Sequence, residues 1–185
     1  MKDVFSNPNL FVITGGPGAG KTTLLRELRK RGIGCVDEGA REIIGQQVKT
    51  NGDAVPWGNK TRYTELMLER SIADFLQHAS TATMVFFDRG IPDVLCYARL
   101  VGLRDEEVKT ACDRYRYNKR VFIAPPWEEI YSTDEERKQT LAEAVKTYEV
   151  MTSAYGECGY QLIELPCVDA VERAEFVLRQ VERPE

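Results

Sequence analysis

This 185-residue chain has only one histidine and five cysteines. Cys35, Cys96, Cys112, Cys158 and Cys167 are odd in number and widely spaced, and no two form a C-x-x-C pair. Zinc ligation and a disulfide framework are therefore not expected. The thiols read as reduced and mostly buried, in a cytoplasmic protein. His78 falls beside the apolar face of a helical stretch and is assigned no chemistry. No apolar run approaches the ~20 residues of a membrane span. The first eight residues, Met1 to Pro8, lack the apolar core of a signal peptide. Basic residues are not in excess: 25 Lys and Arg stand against 29 Asp and Glu, for a net charge of −4. That balance speaks against a nucleic-acid partner, which calls for a basic face. It leaves room for a local basic pocket. No repeat, low-complexity tract or long linker interrupts the chain, so residues 1–185 are expected to form a single domain.

What is present is a glycine-rich stretch in a telling context. Gly15-Gly16-Pro17-Gly18-Ala19-Gly20-Lys21-Thr22 follows the apolar run Leu10-Phe11-Val12-Ile13-Thr14. It opens into the helical stretch Thr23-Leu24-Leu25-Arg26-Glu27-Leu28. Strand, loop and helix in that order are what a G-x-x-x-x-G-K-[ST] phosphate loop requires. Glycines let backbone N–H groups approach phosphate oxygens. The helix starting near Gly20 directs its positive end at the same anion. Lys21 reaches the terminal phosphates, and the Thr22 hydroxyl is placed to bind Mg²⁺. A plain glycine turn before a helix would explain neither Lys21-Thr22 nor the preceding strand.

Strand and helix patterns then alternate. Residues 33–37, 83–87, 119–124 and 160–165 read as four further strands. Helical periodicity covers 61–80, 94–100, 105–117, a long stretch after 138, and a last helix after 170. The long face is read through Leu141, Val145, Tyr148, Met151 or Thr152, and Tyr155, the 61–80 face through Leu68, Ile72, Phe75, Leu76 and Ala79, and the last through Val171, Ala174, Leu178 and Val181. Alternation of this kind predicts a three-layer α/β fold, a parallel sheet with helices on both faces. Residues 49–60 and 125–138 have loop composition and are expected to be mobile segments at the site.

Three strand ends carry candidates, and a parallel sheet brings them to one edge. Asp88 follows the buried strand. It could hold Mg²⁺ opposite Thr22, take the proton of an acceptor hydroxyl, or cap the next helix. Glu38 could act as base or orient a hydroxyl, or could be a first-turn glutamate. Arg41, three residues on, could bind substrate or pair with Glu38. Arg89 has no role in the capping explanation and is a substrate-binding candidate. Arg137 is placed to neutralise charge on a transferred phosphoryl group, with Arg120 and Lys138 weaker. Trp57 and Trp127 could stack on a planar substrate or anchor their loops.

With these pieces assembled, the sequence resembles the AAA_28-type predicted ATPases related to the ribosylnicotinamide kinase domain of the bacterial NAD regulator. More broadly it is similar to phosphate-loop nucleoside and nucleotide kinases. The resemblance implies a five-stranded parallel sheet ordered 2-3-1-4-5, ATP with Mg²⁺, and transfer of the γ-phosphoryl group to a hydroxyl of a small acceptor. It implies that Gly15 to Thr23, including Gly16, Pro17, Gly18, Ala19 and Gly20, hold the phosphates. Glu38 would touch the acceptor, and Asp88 would serve metal or base. There is no nucleotidyltransferase module, no base-reading motif, and nothing that demands an AAA+ ring. The rival expectation is a nucleotide-binding switch that controls a protein partner, since switches share the same loop.

Overall fold

The computed structural model describes residues 3–127 and 141–183. Within them the strands are β1 Phe5–Ser6, β2 Leu10–Gly15, β3 Gly34–Val36, β4 Val85–Asp88, β5 Tyr115–Arg116, β6 Arg120–Ala124 and β7 Gln161–Glu164. The helices are α1 Lys21–Lys30, α2 Gly39–Lys49, α3 Lys60–His78, α4 Ile91–Leu100, α5 Glu106–Arg114, α6 Leu141–Glu157 and α7 Ala170–Glu182.

Five strands form one parallel sheet in the order β3-β4-β2-β6-β7. This is the expected 2-3-1-4-5 order once the five main strands are counted alone. The sequence reading missed β1 and β5, which pair in parallel as a separate two-stranded sheet. Strands of two residues are too short to show any period.

Alternation along each central strand divides the core in two. Leu10, Val12, Val85, Phe87, Val121 and Ile123 face one way, against α3, α4, α5 and α6. Phe11, Ile13, Phe86, Phe122 and Ala124 face the other, against Leu24, Leu25 and Leu28 of α1 and Ala174 and Val177 of α7. Covered on both faces, β2 is buried along its whole length, as its unbroken apolar run predicts.

The helix faces differ from expectation in detail. Leu76, Leu141, Val145 and Val171 point to solvent. Buried in their stead are Thr64, Ala144, Thr147, Ala154, Arg173 and Val177. Small side chains let a helix lie close to its neighbours, so the contact stripe follows size as well as hydropathy.

β2 and β6 leave no room for a side chain where the phosphate loop begins. Gly15 pairs with Ala124 and has φ +137°. A Cβ at Gly15 would lie 2.7 Å from the Ala124 carbonyl oxygen and 2.9 Å from its Cβ. Gly15→Ala is accordingly expected to cost about 1–3 kcal/mol. Urea unfolding of the variant checks this, and an unchanged midpoint would refute it.

Candidate functional site

The loop after β2 leaves the sheet at Gly15 and passes through Gly18 and Gly20 in the left-handed region, at φ 72° and 82°. Side chains adopt these angles at a cost that glycine avoids. Gly20 is the N-cap of α1 and supplies no capping side chain, and no acidic residue occupies the first turn. The helix therefore presents open N–H groups and its positive end to the loop, a ready anion seat.

An arginine absent from the sequence reading holds this loop from behind. Arg173 of α7 is 2% exposed. Its Nη1 donates to the Ala19 carbonyl at 2.7 Å and its Nε to the Pro166 carbonyl at 2.8 Å. Its guanidinium also lies 5.2 Å from the Trp127 ring. Trp127 is thus an anchor for its loop. Trp57 is 71% exposed and lines neither cavity described below.

Lys21 is 6% exposed. Its Nζ folds back to donate to the carbonyls of Gly15 and Gly16, both at 2.9 Å. Burial, with Arg89 adding repulsion, lowers its pKa to about 8; Asp88 and Glu38 oppose the shift. A bound phosphate would favour the charged ammonium. Affinity for ATP should therefore be flat from pH 7 to 7.5 and weaken as pH rises through about 8 and Lys21 of the free protein loses its proton, by up to about tenfold per pH unit. Titration with a fluorescent ATP analogue across pH 7–9.5 checks this, with Lys21→Met as the flat control.

Asp88 closes β4 beside Ile13 of β2. The capping explanation does not hold for it. The α4 N-cap is Gly90, whose N–H donates to Asp93 Oδ2 at 2.8 Å. Asp88 is buried, and its Oδ1 has no hydrogen-bond partner among the described residues. Burial raises its pKa, and nearby Lys21 partly offsets that. An unsatisfied buried carboxylate oxygen is costly unless a ligand uses it.

Arg89 follows with φ 75°, unusual for a residue with a side chain. Its Nε donates to Glu38 Oε1 at 2.7 Å and its Nη1 to Asp93 Oδ1 at 3.1 Å. Burial works against its charge, but Asp93, Glu38 and Asp88 outweigh that and raise its pKa. Glu38 is the N-cap residue of α2, yet its side chain does not cap. Burial raises the Glu38 pKa, while Arg89 and Lys21 prevail and leave it lowered. Arg41 is a weaker partner of Glu38, 3.5 Å from Oε2 with its side chain 76% exposed. Arg137 and Lys138 lie outside the described residues. Arg120 is far from this chemistry, donating to carbonyls at the end of α7.

These groups stand between two cavities. The outer one, about 500 Å³, is lined by Gly18, Gly20, Lys21, Thr22, Thr23 and Arg41 among others. The inner one, about 240 Å³, reaches between α3 and α4 past Tyr63, Met67 and Tyr97. Glu38, Asp88 and Arg89 line both. Thr22 and Asp88 both line the outer cavity and carry hard oxygen atoms of the kind that Mg²⁺ takes. Among the described residues no three carboxylate, histidine or cysteine groups cluster to hold a metal. An ion there would complete its shell from phosphate oxygens, as Mg²⁺ commonly does.

The 50–59 connection between α2 and α3 is braced by its own hydrogen bonds, among them Asn59 N–H to Asp53 O at 2.7 Å, with Ala54 and Val55 buried. Sequence reasoning also missed Asp93, which meets Thr14 and Tyr155. Its signal was present: Pro92-Asp93 at the second and third positions of a helix is a capping pattern.

No curated protein matches the sequence. Among solved structures, the NadR protein in complex with NR matches with TM-score 0.70 and 21% identity, over 96% of this chain and 52% of that one. The chain thus spans about half of that protein. Deoxyadenosine kinase from M. mycoides matches with TM-score 0.63 and 17% identity, over 93% of this chain and 98% of the other. Shikimate kinase from Acinetobacter baumannii matches with TM-score 0.54 and 20% identity, over 93% and 92%. At these identities the likeness is one of fold, a parallel sheet with helices on both sides. The family model AAA_28, an AAA domain, matches residues 10–173, so the chain belongs to the AAA_28 family.

Proposed function

We propose that the protein transfers the γ-phosphoryl group of ATP to a hydroxyl of a small, uncharged acceptor. The observation that carries this reading is the shared wall: Glu38, Asp88 and Arg89 line both the phosphate-loop cavity and the inner cavity. A protein that only bound a nucleotide would need no second cavity at that wall.

ATP lies with its phosphates in the loop 15–23, against the open end of α1. Lys21 leaves the Gly15 and Gly16 carbonyls and turns to the phosphates. Mg²⁺ held near Thr22 and Asp88 would neutralise phosphate charge. The acceptor enters the inner cavity and points its hydroxyl at the wall. Asp88, whose proton affinity burial raises, takes the hydroxyl proton. Glu38, kept ionised by Arg89, accepts from the same hydroxyl and orients it. Arg89, Arg41 and Arg137 supply donors and positive charge around the reacting groups.

Charge bookkeeping narrows the acceptor. The inner cavity is lined by two arginines, and both are matched by carboxylates. Arg89 pairs with Glu38 and Asp93, and Arg70 with Asp74 and Glu42. Among the described residues, an anionic acceptor would meet carboxylates there and no unpaired arginine. Tyr63 and Tyr97 meet edge to face with centroids 5.4 Å apart, beside Met67 and Phe87. That lining suits a flat apolar ring, as a nucleoside carries.

ADP release measured with nucleosides, nucleoside monophosphates and shikimate tests this. A nucleoside should raise turnover at least about tenfold over water, and the anionic compounds should not. If no small alcohol stimulates release and a protein partner does, the switch reading replaces this one.

A further inference from the structure

We propose that Asp93 is a positioning residue that fixes the distance between the phosphate loop and the acceptor-side arginine. The inference rests on the phosphotransfer reading for its consequence, and on geometry alone for its cause.

Asp93 is buried and all of its acceptor capacity is engaged. Oδ1 accepts from Thr14 Oγ1 at 2.5 Å and from Arg89 Nη1 at 3.1 Å. Oδ2 accepts from Tyr155 OH at 2.5 Å and from the Gly90 N–H at 2.8 Å. Capping α4 requires only the last of these, and an amide oxygen at the same position would accept that bond without a buried charge. The other three bonds call for a different explanation.

Thr14 is the residue before Gly15, at the root of the phosphate loop. Arg89 carries Glu38 on its other side. One oxygen atom thus ties the root of the loop to the group that faces the acceptor. The Arg89 backbone adds to this. Its φ of 75° is a conformation that surrounding contacts must hold, and its N–H donates to Ile13 O at 3.0 Å. Side-chain and backbone bonds together leave the guanidinium little freedom. Phosphoryl transfer depends on holding the two reactants in line, and small misplacements cost large factors. Tyr155 extends the tie to α6.

Two measurements test the proposal. The first needs no substrate: hydrogen exchange of the Arg89 Nη1–H, the group bonded to Asp93, followed by NMR. It should be slow in the wild-type protein and at least about tenfold faster in Asp93→Asn, which keeps the cap but presents an amide N–H₂ to Arg89. Unchanged exchange overturns the proposal. The second is the ratio of ADP released to phosphorylated nucleoside formed, with ATP and the nucleoside that most stimulates the wild-type protein. The ratio should be near one in the wild type and above about two in Asp93→Asn, because a misaimed phosphoryl group goes to water. A purely structural defect lowers both products equally and leaves the ratio at one, which also overturns the proposal. Should Asp93→Asn fail to fold, Thr14→Val removes only the tie to the loop and should raise the same ratio to a smaller extent. If no nucleoside is phosphorylated by the wild-type protein, the phosphotransfer reading has failed, and the Arg89 exchange result still decides the role of Asp93.

Discussion

Lys21→Ala is expected to lower kcat/KM for ATP about 10³-fold. The ammonium is buried at the mouth of α1 and is parked on two loop carbonyls. Those carbonyls border the anion seat, so in the variant nothing offsets their partial negative charge. The loss should appear in kcat as well as in KM, because negative charge on the transferred group rearranges during transfer and a fixed cation serves that state best. Steady-state ADP release across a range of ATP concentrations checks this, and a wild-type kcat would exclude the assignment. Stability should move little or rise. The free protein holds Lys21 at a desolvation cost, visible in its pKa near 8, and alanine removes that cost.

Asp88→Asn is expected to lower kcat between about 10² and 10⁴-fold with the fold intact. The amide preserves the shape but gives up the proton-accepting charge. A buried carboxylate oxygen without a partner is a stability cost, so the variant should melt at the same or a higher temperature than the wild type. This opposite movement of activity and stability separates a functional carboxylate from a structural one, whose removal would lower both. The pH dependence has a defined sign. A carboxylate with a raised pKa is active when ionised, so wild-type kcat/KM, which reports the free protein, should fall on acidification, and the fall should begin above the ordinary aspartate range. Glu38, whose pKa is lowered, should leave no step at that pH. Asp88→Asn should lose the acid limb along with the activity.

The parts of this site that sequence made visible are those written in local pattern. The phosphate loop needs glycines at fixed offsets between a strand and a helix, and residues 15–22 show them. The strand ends follow from apolar runs that stop abruptly, so Glu38 and Asp88-Arg89 could be placed at one sheet edge. The partners of those residues were not visible. Arg89 was free to pair with any carboxylate, and the choice of Glu38 and Asp93 depends on how α2 and α4 pack. Arg173 drew no attention in the sequence, because nothing local says that α7 lies behind Ala19. Leu76, Leu141, Val145 and Val171 were read as core for the opposite reason: hydropathy pointed inward while smaller neighbours made the actual contact. Trp57 and Trp127 illustrate the same limit, since both sit in loops whose course depends on tertiary contacts.

The most direct test of the account is the fate of the γ-phosphoryl group in a single turnover. ATP labelled in that group is mixed with excess protein, Mg²⁺ and a nucleoside, and the products are separated. The account predicts label in a nucleoside phosphomonoester, and loss of that product in both Lys21→Ala and Asp88→Asn. Label found only in inorganic phosphate, at the same rate with and without every acceptor tried, would contradict it.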